Sequence, residues 1–73
     1  GFADNIHKEY QRLKKEDLCY LCLTLMNIND KQISSLFGVT YSTIRTRRNK
    51  ICDILEIKNE QLYKHLIDKL YLP

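Results

Sequence analysis

An all-α domain built around a helix-turn-helix is the fold this sequence predicts, and three observations predict it. Apolar residues recur at three- and four-residue spacing through most of the chain, the period of helices buried on one side. Gly38 and Thr40 stand between two such segments. Glycine enters the left-handed region that ends a helix without a Cβ penalty, and threonine caps the helix that follows. So short a connection turns the two helices sharply against each other. Finally, the positive excess is confined to ten residues. Residues 1–40 carry five bases and five acids, 41–50 four bases and no acid, 51–73 three bases and four acids. That is the footprint of a polyanion site on one helix.

Seventy-three residues make one small domain, with core enough for three to five short helices. The expected organisation is a short N-terminal helical extension or linker over 1–13, followed by a four-helix helix-turn-helix domain over 14–73. Its helices are expected at about 16–26, 30–37, 41–55 and 59–71. In the extension, Phe2, Ile6, Tyr10 and Leu13 recur at the spacing of one helical face, with Asp4 or Asn5 as the cap. It is expected to lie as a flap on the next helix. Gly1 reads as a cloning remnant, and the missing initiator Met suggests a segment of a longer protein. There is no run of eighteen apolar residues, so no membrane contact is expected from this segment.

From Glu16 to Met26, Leu18, Leu21, Cys22 and Leu25 form one stripe, and Cys19, Leu23 and Met26 a second. A helix apolar on two sides belongs at the centre. Glu16 and Asp17 suit the positive end of its dipole. Asn29 or Asp30 is the expected cap of the helix over 30–37, and Ser34 is small where two helices cross. At about 100° per residue, Ile44, Ile51 and Leu55 form the buried stripe of the helix over 41–55. Arg48 lies beside that stripe, its methylenes packed and its guanidinium reaching out. Ser42, Arg45, Thr46, Asn49 and Lys50 face outward, with Arg47 on a flank. Asn59 reads as the cap of the last helix. There Leu62, Leu66 and Leu70 form a packing face, and Tyr63, Ile67 and Tyr71 a neighbouring stripe whose surplus serves the core or a dimer contact.

An outward face of Arg, Asn, Thr and Lys suits the major groove, where Arg pairs with guanine and Asn with adenine. Arg45, Thr46 and Asn49 are therefore the expected base readers. Lys31, Thr40, Ser42, Arg47 and Lys50 are the expected phosphate contacts. The expected partner is double-stranded DNA. Most charge runs are merely solvated helix faces, but here the turn and the charge asymmetry agree. The alternative from another class is a helical protein-interaction module using the apolar face of the last helix.

The residues Leu13, Asp17-Leu18, Ile28-Asn29-Asp30-Lys31-Gln32-Ile33, Val39-Thr40, Thr43-Ile44, and Ile51 with Leu55 give a further expectation. In this pattern the chain resembles the LuxR/GerE family of bacterial regulators (NarL/FixJ-like), in its C-terminal DNA-binding domain. The resemblance implies four helices, major-groove binding through the third, and dimer contacts by the fourth, hence a homodimer on DNA. It also implies an upstream sensor or regulatory domain, and by position it matches Arg45, Thr46 and Asn49 to the family's base-reading face. Lys14 stands where the family has a capping Thr, Ile54 replaces a basic residue, and Glu56 replaces the usual Gly. Sigma-factor region 4, the nearest rival, shares the helix pair and also binds promoter DNA.

No cofactor or metal is expected. Cys19-x-x-Cys22 lacks the partners of a structural zinc site, which takes four ligands, and both thiols are expected in the core. Three cysteines suggest a reducing compartment and so a cytoplasmic protein. His7 and His65 are isolated, and two glycines make no phosphate loop. No enzyme is expected.

Overall fold

The computed structural model describes residues 1–71, which form five α-helices: α1 (Phe2–Glu9), α2 (Lys15–Leu25), α3 (Asp30–Phe37), α4 (Tyr41–Leu55) and α5 (Leu62–Tyr71). A 3-10 turn, Asn59–Gln61, precedes α5, and no strand occurs among the described residues. The last two residues of the expected domain over 14–73 lie outside the described ones.

One core serves all five helices. Ile6 and Leu13 from the N-terminal segment join Tyr20, Leu21, Ile33, Ile44, Ile51, Leu55, Leu62 and Leu66, all buried. At about 1.5–3 kcal/mol for each large apolar side chain, Ile6 and Leu13 make residues 1–13 part of this core. α1 lies against both α2 and α5, and Lys69 of α5 reaches Glu9 at 2.6 Å. α1 starts at Gly1 without a side-chain cap, not at Asp4 or Asn5 as expected. Asp4 sits in its first turn, 3.6 Å from the terminal ammonium.

The inward face of α2 differs from the expected stripe. Its buried residues are Asp17, Tyr20, Leu21 and Thr24, spaced at three, four and seven residues on one side of a helix. Met26 is 69% exposed, Cys19 is exposed and Cys22 is only half-buried, so neither thiol belongs to the core as expected. Polar atoms tolerate the inward face because each finds a partner. Thr24 Oγ1, for example, donates to the Tyr20 carbonyl at 2.9 Å.

Three helices end in the same way. Asn27, Gly38 and Glu56 all have left-handed backbones, with φ of 66°, 68° and 59°. After α3, the Gly38 N–H donates to Ser35 O at 3.2 Å and the Val39 N–H to Ser34 O at 3.0 Å. The paired bonds Asn27 N to Thr24 O and Ile28 N to Leu23 O close α2, and Glu56 N to Asp53 O and Ile57 N to Cys52 O close α4. Each pair satisfies two carbonyls that a helix end otherwise leaves open, and Ile28 and Ile57 then fold back on the core. A Cβ at Gly38 meets nothing within 4 Å, so the cost of a side chain there lies in the backbone. Gly38→Val is expected to destabilise by about 1–2 kcal/mol. Glu56→Gly, which relieves the same strain, is expected to stabilise by up to about 1 kcal/mol. Urea midpoints of both variants check the pair, and a Gly38→Val midpoint equal to the wild type would remove the account of the turn.

The two middle helices begin as expected. Asn29 Oδ1 accepts from the Gln32 N–H at 2.9 Å while Gln32 Oε1 accepts from the Asn29 N–H at 3.0 Å, a reciprocal box. Thr40 Oγ1 accepts from the Thr43 N–H at 3.2 Å. At α2, where Lys14 offers no capping oxygen, Asp17 Oδ2 accepts from the Lys14 N–H at 2.9 Å instead. The expectation of Asn59 as cap of the last helix is corrected. Gln61 Oε1 takes the Lys58 N–H at 2.9 Å, and the Asn59 amide turns towards α4.

Candidate nucleic-acid interface

Residues 38–40 set α4 across α3, and Ile44, Ile51, Cys52 and Leu55 bury its inner side. Opposite them, Ser42, Thr46, Asn49 and Lys50 are exposed, with Thr43 and Asp53 beside them. The outward face expected from helical periodicity is therefore present. Its charges are engaged in a way the sequence did not indicate.

Two buried or nearly buried carboxylates flank α4. Asp17 of α2 is fully buried; Arg47 donates to its Oδ1 at 2.9 Å and Lys50 to its Oδ2 at 3.1 Å. Burial alone would raise the Asp17 pKa. The Lys14 N–H, the Lys50 ammonium and the Arg47 guanidinium outweigh it and hold the carboxyl below its ordinary value. On the other flank, Arg45 Nη1 donates to Asp30 Oδ2 at 2.8 Å, and the Tyr20 hydroxyl donates to Asp30 Oδ1 at 2.6 Å. Arg48 does not reach out to solvent as expected. Its Nη1 donates to the Tyr20 hydroxyl at 3.0 Å and its Nη2 to the Asn59 carbonyl at 2.8 Å. Burial and the Asp30 bond push the Tyr20 phenol up to about 12, so it stays a donor at neutral pH.

Four cations of α4 thus share two carboxylates. The local excess is smaller than the sequence count, and the side chains are held rather than free. Of the expected base readers, Arg45 is half-exposed and bound to Asp30 through one nitrogen, with its guanidinium 6.0 Å from the Tyr41 ring. Thr46 is exposed, its hydroxyl donating to Ser42 O at 3.1 Å. Asn49 is exposed, and its Oδ1 accepts from Asn59 Nδ2 at 2.7 Å. That bond fixes which way the Asn49 amide points and leaves its own NH₂ outward.

Of the expected phosphate contacts, Lys31, Thr40, Ser42 and Lys50 are exposed, and Arg47 is partly covered. Thr40 and Ser42 lie at the α4 N-terminus, where first-turn amides have no intrahelical acceptor. Lys50 and Arg47 share Asp17 and are the least free. Asp17, Tyr20, Asp30 and Asn59 are the site residues missed from sequence. A carboxylate in register with Leu13, Tyr20 and Leu21 was the available signal, since a buried acid needs a cation.

The expected packing face of the last helix divides. Leu62 and Leu66 are fully buried and Leu70 is 44% exposed, so a dimer surface on α5 would have Leu70, Tyr63 and Tyr71 but not the first two. Among the described residues, no group of three or more His, Cys, Asp or Glu side chains could hold a metal ion. None of the described helices is long and apolar enough to cross a membrane. Comparison with family models, curated proteins and solved structures gave no match.

Proposed function

We propose that this chain binds double-stranded DNA sequence-specifically as the output domain of a bacterial transcriptional regulator. In this reading α3, the turn and α4 act as a helix-turn-helix of LuxR/GerE type, with α4 in the major groove. The observation that carries it is the exposed row Ser42, Thr46, Asn49 and Lys50 on a helix whose opposite side is buried. Asp53 also lies outward, and a carboxylate repels phosphate, so contact is confined to α4 before Asp53. Arg45, Thr46 and Asn49 then meet base edges, and Lys31, Thr40, Ser42, Arg47 and Lys50 the backbone. Asp17 and Asp30 hold the cations in place before DNA arrives, which reduces the side-chain ordering that binding must supply.

The interaction-module alternative loses two of its three leucines to the core. A region-4-like promoter contact uses the same helix pair, and the symmetry of the preferred site separates it from a homodimer.

Selection of bound DNA from random duplexes tests the reading, followed by affinities at several salt concentrations. Asn49 is the cleaner probe, because removing Arg45 also takes from Asp30 the cation that holds its Oδ2. Asn49→Ala is expected to cost about 1–3 kcal/mol at the selected site and much less on random duplex. Lys31→Ala is expected to weaken both alike and to lower the salt slope by about one unit. Equal losses from Asn49→Ala on both duplexes would make it a backbone contact. Failure to enrich any sequence would end the proposal.

A further inference from the structure

Cys19 and Cys22 play no part in the core that sequence periodicity assigned to them, nor in the α4 face. At about 100° per residue they lie about 60° apart on the side of α2 opposite Asp17 and Tyr20. Both line an apolar recess of about 440 Å³, together with Ala3 of α1, Lys15, Leu18 and Leu23 of α2 and Phe37 of α3. Cys19 is exposed and Cys22 half-buried. Residues three apart on a helix have Cβ atoms about 5–6 Å apart, whereas a disulfide needs about 3.5–4.5 Å. At this spacing the two thiols are free rather than joined. One atom inserted between the sulfurs adds two bonds of about 2.3 Å and fits the wider spacing.

We propose that Cys19 and Cys22 form a dithiol site for a single soft, thiophilic atom held by both sulfurs, either a two-coordinate monovalent d10 cation or a trivalent arsenic that keeps one organic group. Thiolates select such soft acceptors. No further His, Cys, Asp or Glu completes a larger set among the described residues, which disfavours tetrahedral zinc. A bis-thiolate complex of a monovalent cation is anionic, and Lys15 supplies the opposite charge. The apolar walls suit the organic group of an arsenical. With silver(I), two S–Ag bonds form and two protons leave to solvent. With an aryl arsenoxide, two As–S bonds form, the As–O bond breaks, and both thiol protons leave with that oxygen as water. Neither reaction transfers an electron to or from the sulfurs.

The test titrates the full chain with silver(I) and separately with phenylarsine oxide, read by native mass spectrometry and by counting the thiols that remain reactive. Wild type is expected to bind one equivalent and to lose Cys19 and Cys22 reactivity together. Because the second bond is intramolecular, Cys19→Ser and Cys22→Ser are each expected to lower affinity at least about 100-fold. Neither thiol is fully buried, so both variants are expected to fold, with circular dichroism as the check. Silver binding alone identifies a monovalent-cation site; arsenical binding, with or without silver, identifies a site open to trivalent arsenic. Unchanged affinity in either single variant, or bound probe on Cys52, would overturn the proposal.

Discussion

Asp17→Ala is expected to lower stability by about 3 kcal/mol. Two losses make up that figure. The Lys14 N–H at the start of α2 loses its acceptor, a capping loss of about 1 kcal/mol. Arg47 and Lys50 lose the carboxylate that joins α4 to α2, and charge-assisted bonds of this kind contribute about 1.5–3 kcal/mol. Lys50 is 45% exposed and turns back to water, which keeps the total at the lower end of what breaking a buried pair costs. Because the folded state holds the Asp17 carboxyl below its ordinary value of 3.8, the unfolded chain takes up the proton first as pH falls. The contribution is complete above that value and disappears as pH drops through the folded pKa. Asp17→Asn keeps an acceptor for Lys14 but no charge, so it is expected to lose less at pH 7 and to flatten the acid limb. Urea midpoints from pH 7 down to pH 2 check all three proteins. A midpoint for Asp17→Ala within experimental error of wild type would mean that the buried ion pairs do not hold α4.

The helix boundaries were legible wherever a local device sets them. Asn29 with Gln32, Gly38 and Thr40 act within four residues of themselves, so α3 and α4 fall on the expected bounds. Asn59 broke the pattern because its partner, Asn49, lies ten residues back in another helix, beyond the reach of any capping rule. The outward face of α4 followed from its period, but the state of its cations did not. Asp17 lies 30 and 33 residues from Arg47 and Lys50, and only the tertiary fold brings them together. Cys19 was misread for a related reason. The residue is apolar in character, yet α1 and α3 flank that side of α2 without covering it, leaving a recess. Periodicity tells which residues share a face; the neighbouring helices decide which face is covered.

The α5 stripe is where core and partner surface compete, and Leu66→Ala against Leu70→Ala separates them. The two residues share a helical stripe, but Leu66 is fully buried and Leu70 is 44% exposed. Leu66 sits in the one core with Ile6, Leu13, Tyr20 and Leu21. Its truncation removes the transfer energy of the lost carbons and leaves a cavity, about 2–5 kcal/mol together. Leu70→Ala, with nearly half its surface already in water, is expected to stay within about 0.5 kcal/mol in the isolated monomer. A homodimer on DNA that uses α5 would reverse part of this order in a second measurement. Leu70→Ala, and Tyr71→Ala at 79% exposure, would then weaken binding to a two-half-site duplex while leaving binding to a single half-site unchanged. Denaturation midpoints and half-site affinities are read side by side. A small loss for Leu66→Ala would place α5 outside the core and return Leu62 and Leu66 to the list of partner contacts.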